Sequence, residues 1–264
     1  MKSVKELHPM LKIVTKEKIV ETKKCKCNQV VQVVEIILPG GPRKGETAII
    51  NKGCKCEDLK LAKQAEITHA QVFLNNVSLV NDDLKQAAFE NFEVIDSEFK
   101  RVRDVVYEFA LHFDPKSESK QTFIFTGTYG IGKSHLAYAT AKHVANIGYT
   151  AMFINLPQML TKIKASYNQT SHFSETSLMN RITKVDLLIL DDIGADNAST
   201  SEWGKTKLFE VLDSRLNKYN IYTTNLGSEE LKRAIGERNL SRLMDQAEIF
   251  KMHGEDFRRR HLKK

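Results

Sequence analysis

The hydrophobic pattern changes period several times along the chain, and those changes mark its segments. Val30 to Leu38 is a dense aliphatic run closed by Pro39-Gly40-Gly41-Pro42 and Gly45, and Thr47 to Ile50 resumes it, which predicts a β-hairpin. From Glu57 to about Val80 the pattern turns helical and polar, with Leu59, Ala62, Ala65 and Ile67 among Lys and Glu, until Asn81-Asp82-Asp83 breaks it. This stretch reads as a connector. Asp96 to Phe113 then sets Phe99, Val102, Val105, Val106, Phe109 and Ala110 on one helix face, a stripe that implies docking onto the next domain.

Beyond Thr122 strand and helix patterns alternate. Thr122 to Thr126 is β-branched and aromatic, whereas Ser134 to Asn146 is rich in Ala and Leu with no Gly or Pro. Thr150 to Asn155 predicts a strand, and Leu156, Met159, Leu160 and Ile163 fall at helical spacing. Leu187 to Leu190, a helix from about Glu202 to Leu216, and Ile221 to Thr224 follow. Such alternation predicts an α/β fold: a parallel sheet flanked by helices on both faces, with ligand at the carboxyl ends of the strands.

At one such strand end stands Gly127-Thr128-Tyr129-Gly130-Ile131-Gly132-Lys133-Ser134, which reads G-x-x-x-x-G-K-S. Gly127, Gly130 and Gly132 let the loop curl so that backbone N–H groups converge on phosphate oxygens, helped by the positive end of the following helix. Lys133 then reaches the β- and γ-phosphates of ATP, and Ser134 ligates Mg²⁺. Asp186-Leu187-Leu188-Ile189-Leu190-Asp191-Asp192 delivers two carboxylates to the same sheet edge. Asp191 is placed to hold Mg²⁺ through water, and Asp192 to orient and deprotonate the attacking water. Asn225 ends the next strand; it reads equally as a group touching the γ-phosphate or the water, and as a turn residue before Leu226-Gly227.

The chain has 264 residues with 40 Lys and Arg against 33 Asp and Glu, a formal charge of +7 that favours polyanionic partners, nucleic acid first. No apolar run approaches the roughly 18 residues of a membrane span, and Met1 to Glu6 lacks the apolar core of a signal peptide, so a cytoplasmic protein with no membrane partner is expected. In that reducing compartment the four cysteines, Cys25, Cys27, Cys54 and Cys56, are read as metal ligands or free thiols. They stand as two C-x-C pairs at the two ends of the predicted hairpin, where four thiolates complete a tetrahedral Zn²⁺ shell. Free or redox thiols are the alternative reading.

Taken together, Gly127 to Ser134, Val185 to Gly194 with its Asp-Asp-Ile-Gly, Tyr222-Thr223-Thr224-Asn225-Leu226, Gly236-Glu237-Arg238 and Ser241-Arg242-Leu243 resemble the DnaC/DnaI-type bacterial or phage helicase loaders of the AAA+ ATPase family. The likeness covers about residues 91–260. It implies a P-loop AAA+ domain with a reduced lid over 91–264, a linker over 76–90, and a zinc-binding hairpin domain over 1–75 that engages a hexameric replicative helicase. It further implies that Arg242 projects into a neighbouring subunit's nucleotide, with Arg238 second in line, and that Arg258 senses nucleotide in its own subunit.

Loaders of this kind form an ATP-dependent spiral around single-stranded DNA, gripped by an extra helical element at about Pro157 to Ile182. Its Lys162, Lys164 and Arg181 then neutralise phosphates while Tyr167, His172 and Phe173 stack on bases. The plainer reading makes Leu156, Met159, Leu160 and Ile163 core, the lysines its wet face and Ser166 to Ser177 a polar loop. The expected function is ATP-dependent loading of a replicative helicase onto single-stranded DNA during DNA replication. An IstB-like transposition-helper ATPase and a nucleotide-switched adaptor without catalysis are the alternatives.

Overall fold

In the computed structural model, which describes residues 17–118, 120–167, 174–254 and 256–257, the chain divides between Gln64 and Ala65 into two units. The first carries β1 (Lys18–Lys24), β2 (Val30–Ile37) and β3 (Thr47–Lys52), an antiparallel sheet in that order, and the start of α1 (Cys56–Val77). Registers from Gln32↔Lys52 to Ile37↔Thr47 form the expected hairpin. Strand β1 pairs Lys24↔Val30 along the other side of β2 and was not expected. All seven of its residues are exposed, so it has no buried face to leave a period-two signal.

The second unit begins inside α1, whose Ala70 and Leu74 are buried in its core. The division thus falls ahead of residue 75. The span 76–90, expected to be a linker, holds the short α2 (Asp82–Lys85) and the buried Ala87 and Phe89. Helix α3 (Ser97–Leu111) starts where the Asp96 carboxylate accepts the Phe99 N–H at 2.9 Å, an N-cap of the kind that stabilises a helix start by about 1 kcal/mol.

From there the alternation runs β4 (Thr122–Gly127), α4 (Lys133–Asn146), β5 (Ala151–Asn155), α5 (Leu156–Ser166), α6 (Glu175–Lys184), β6 (Leu187–Asp191), α7 (Asn197–Thr200), α8 (Glu202–Ser214), β7 (Tyr219–Thr224), α9 (Ser228–Ile235), α10 (Glu237–Leu243) and β8 (Ala247–Met252). The sheet order is β5-β6-β7-β4-β8, and every pairing is parallel. Alternate strand residues enter two separate cores. Phe123, Phe125, Phe153, Ile189, Ile221 and Phe250 meet α3 and α4 on one face. On the other, Ile124, Met152, Ile154, Leu188, Leu190 and Tyr222 meet α5, α6, α8, α9 and α10. Burial on both faces is why these strands read as continuous apolar runs.

Helix α6 falls largely within the helical element expected at about Pro157 to Ile182 and takes up the last residues, 175–177, of the alternative polar loop, whereas no sequence pattern announces β8. In β8 only Phe250 and Met252 are buried, with Glu248, Ile249 and Lys251 exposed, so its alternation is too brief to stand out. A lid following the sheet would lie past β8, where the described residues reach Phe257. No described helix is long and apolar enough to cross a membrane.

Arg215 is fully buried at the end of α8. Its guanidinium donates to the carbonyls of Ile182 at 3.1 Å, Val185 at 2.7 Å, Asp186 at 3.4 Å and Tyr219 at 2.7 Å, and to Asn220 Oδ1 at 2.9 Å. One side chain thereby joins the end of α6 to the starts of β6 and β7. Burial draws its pKa down to about 10. Arg215→Met keeps the volume but leaves those acceptors without a donor, so urea denaturation is expected to show a loss of about 3 kcal/mol or more.

Candidate functional site

Strand β4 ends on Gly127, and the loop turns through Gly127 at φ 142°, Gly130 at 71° and Gly132 at 93° before α4 starts at Lys133. Two of these positions are closed to any side chain. A Cβ on Gly127 would run into the Met252 carbonyl, and one on Gly132 would sit 2.8 Å from the Phe92 ring. The loop is therefore clamped between β8 and the segment before α3, with its N–H groups and the α4 dipole at the carboxyl edge of the sheet.

Lys133 is 5% exposed and donates to Gly127 O at 2.9 Å, Thr128 O at 2.7 Å and Asn225 Oδ1 at 2.7 Å. Ser134 Oγ donates to Asp191 Oδ1 at 2.6 Å, and Thr223 Oγ1 donates to the same oxygen at 2.7 Å. Asp191 itself is 4% exposed. Burial, then the neighbouring Asp192, push its pKa from 3.8 up to about 6. A divalent cation relieves that cost, because it replaces a solvation shell the carboxylate has lost.

Asp192 adopts φ 60°, a left-handed conformation rare outside glycine, and its N–H donates to Thr223 Oγ1 at 3.0 Å. Its carboxylate accepts Asn155 Nδ2 at 3.0 Å and Asn225 Nδ2 at 3.3 Å. Asn225 thus bridges Lys133 to Asp192, directly after β7. These groups line a cavity of about 640 Å³ together with Asn81, Asn91, Phe92, Tyr129 and Phe257. The arrangement can hold a polyphosphate on the loop, a divalent cation at Ser134 and Asp191, and a water against Asp192.

Asn155 and Thr223 are site residues that sequence reading missed. Asn155 caps α5, its Oδ1 accepting the Gln158 N–H at 3.3 Å, and Asn before Leu-Pro is a legible cap signal. Its bond to Asp192 is tertiary and has no local signature.

Two of the expected arginines, Arg238 and Arg242, lie on α10. Arg242, on α10, pairs with Asp213 at 3.2 Å and lies 5.9 Å from the Phe209 ring, while Arg238 sits 3.7 Å over that same ring. Neither is among the described residues lining the cavity. Arg258, together with His172 and Phe173, lies outside the described residues. On α5, Lys164 lies 4.8 Å over Trp203, with Tyr167 beside it at 6.4 Å.

In the first unit the sulfurs of Cys25, Cys27, Cys54 and Cys56 all lie within 4.8 Å of one another. Asn28, at φ 64°, turns the chain after the first pair, with its N–H on Cys25 O at 2.9 Å. Zinc–sulfur bonds of about 2.3 Å set tetrahedral sulfurs roughly 3.8 Å apart, so the four fit such a shell. The hydrogen bond from the Cys27 backbone draws Cys25 down to about 7, while the other three thiols, Cys54 foremost, push Cys56 up to about 12. Four thiolates this close repel one another unless a cation lies among them.

A glycine loop, paired acids and an asparagine on adjacent ends of a five-stranded parallel sheet define a P-loop nucleotide-binding domain of the AAA+ class. Residues 69–264 match the family of IstB-like ATP-binding proteins, and the chain belongs to that family. The replicative helicase loader DnaC of Buchnera aphidicola subsp. Baizongia pistaciae is 30% identical over 158 residues, 59% of this chain and 62% of that protein. The aligned part thus spans about three fifths of that relative. A crystal structure of the DnaC helicase loader superposes with TM-score 0.58 at 22% identity, over 65% of this chain and 99% of that one. One of DnaI does so with TM-score 0.57 at 17% identity, over 70% and 98%.

The raised pKa of Asp191 sets the sign of a pH effect. The folded state binds more protons than the unfolded one between about 3.8 and 6, so this group favours folding most below that window and ceases to do so as pH rises through it. Asp191→Asn retains an acceptor for both hydroxyls and removes the buried charge. Without nucleotide its melting temperature is expected to exceed that of the parent at pH 8, by up to about 3 kcal/mol in stability, with the gap closing near pH 4. Mg²⁺-dependent ATP affinity is expected to fall at least tenfold.

Proposed function

We propose that this protein loads a hexameric replicative helicase onto single-stranded DNA, using ATP hydrolysis to time its release. The observation that carries the reading is the 30% identity to a replicative helicase loader over 158 residues. In this scheme Lys133 and the loop N–H groups bind the phosphates, and Ser134 and Asp191 hold Mg²⁺, which supplies charge neutralisation at the phosphoryl oxygens. Asp192, aimed by Asn155 and Asn225, orients the attacking water and takes its proton.

Arg242 acts on the nucleotide of an adjacent subunit in a spiral assembly, for which its partial exposure on α10 leaves it available. Arg258 senses nucleotide within its own subunit. Single-stranded DNA runs along α5 and α6, where Lys162, Lys164 and Arg181 meet phosphates and Tyr167, His172 and Phe173 meet bases. Cys25, Cys27, Cys54 and Cys56 hold one Zn²⁺, which fixes the two ends of the β2–β3 hairpin, and the first unit contacts the helicase. The work takes place in the cytoplasm.

The family description favours one second reading, a transposition-helper ATPase that recruits a transposase to DNA. Capture of a transposase, and no helicase, by the tagged full chain from its host lysate would reverse the order of the two.

The central test deposits purified helicase on circular single-stranded DNA with ATP. The parent chain is expected to stimulate loading and Lys133→Ala to abolish both ATP binding and loading. Asp192→Asn is expected to bind ATP normally while turnover drops at least 100-fold; undiminished turnover would remove Asp192 from its role. For the metal, elemental analysis is expected to find one zinc per chain. Cys54→Ser should lose it and become protease-sensitive within residues 17–64 while still binding ATP.

A further inference from the structure

Charge divides unevenly between the two units. Through Gln64 the chain carries 14 Lys and Arg against 7 Asp and Glu, whereas from Ala65 onward the counts are 26 and 26. The whole formal +7 therefore belongs to the first unit, and the nucleotide-binding unit is neutral. Zinc with four thiolates would carry a charge of about −2, so the occupied site would offset only part of the excess.

Two kinds of macromolecule suit such a unit: nucleic acid, or a protein with an acidic surface. Sequence-tolerant single-strand binding relies on aromatic rings under the bases, and no Phe, Trp or Tyr occurs before Gln64. What the unit exposes instead is aliphatic. Ile37 is 45% and Ile49 68% exposed. The pairs Ile37↔Thr47 and Glu35↔Ile49 make them diagonal neighbours on one face of the sheet. Lys18 joins that row through its pairing with Glu35, and Arg43 and Lys44 stand exposed in the turn beyond Ile37. Three acids, Glu21, Glu35 and Glu46, lie in the same neighbourhood, Glu21 through its pairing with Val33, and Glu46 is paired with Arg43 at 2.6 Å.

We infer that this sheet face docks onto an acidic protein surface with an apolar centre, Ile37 and Ile49 forming the buried middle and Lys18, Arg43 and Lys44 the rim. The inference rests on the proposed loading role and specifies the helicase surface that role requires. It also reassigns the chain's positive charge, from nucleic acid to the protein partner.

The test uses the full chain in three forms: parent, Ile49→Ser, and the double reversal Lys18→Glu with Lys44→Glu. Zinc content and ATP turnover equal to the parent's verify folding. Affinity is measured for the labelled replicative helicase at 50 and 300 mM NaCl and, separately, for an oligo-dT strand. Ile49→Ser is expected to weaken helicase binding about tenfold. The double reversal is expected to weaken it at least tenfold and flatten its salt dependence, with oligo-dT affinity within twofold of the parent for both. Helicase binding unchanged in both variants overturns the inference. So does a loss of oligo-dT affinity with helicase binding intact, which would make the unit a nucleic-acid arm. A parent chain that fails to bind helicase even at 50 mM NaCl defeats the loading role itself, and the inference with it.

Discussion

Five strands that all run parallel place their carboxyl ends on one edge, and the chemistry of this protein depends on that constraint. Because β6, β7 and β4 are neighbours in the sheet, the residues that end them arrive side by side: Asp191 and Asp192, then Thr223 to Asn225, then the glycine loop. Ser134 and Thr223 meet on a single oxygen of Asp191, so the loop and two strands share one buried acceptor. No turn or hairpin could bring these groups together, since each is separated from the next by a helix crossing one face of the sheet.

That convergence has a conformational and electrostatic cost. Asp191 is buried to the point that its carboxyl resists ionisation, and Asp192 holds a backbone conformation that side chains disfavour. Both are retained by neighbours that over-determine them, with Thr223 serving the two acids at once. Such concentrated strain marks a site whose ligands, a cation and a phosphate chain, complete its hydrogen bonds and charges. The stabilising counterpart lies at the other end of the strands, where Arg215 satisfies four carbonyls and an amide without any carboxylate partner.

The two units follow different physical rules. In the larger one, sheet burial on both faces supplies ample apolar area. The smaller has a three-stranded sheet whose edge strand β1 is wholly exposed, and among its described residues the buried hydrophobic side chains are Val31, Val33, Val34 and Cys54, the last in a cluster of four cysteines within 4.8 Å. Charge follows the same division, and the uniform excess suggested by whole-chain composition is confined to the small unit.

Much of the larger unit was legible in the sequence because its signals are local. Strand β4, the glycine loop and α4 are announced by composition and order, and β6 by four apolar residues ending in two acids. The C-x-C spacing and the turn between them likewise foretold a cysteine cluster. Strands β1 and β8 were not legible, since exposed edges carry almost no alternation, and the boundary near residue 75 moved because Ala70 and Leu74 find their partners far along the chain. Asn155 shows the limit most sharply: its capping of α5 is written in the residues around it, whereas its hold on Asp192 exists only because β5 and β6 lie next to each other. The sequence by itself therefore determined the elements, the phosphate loop and the identity of the acids. Tertiary structure alone decided which groups aim those acids, because hydrogen bonds depend on distances in space that chain order does not encode.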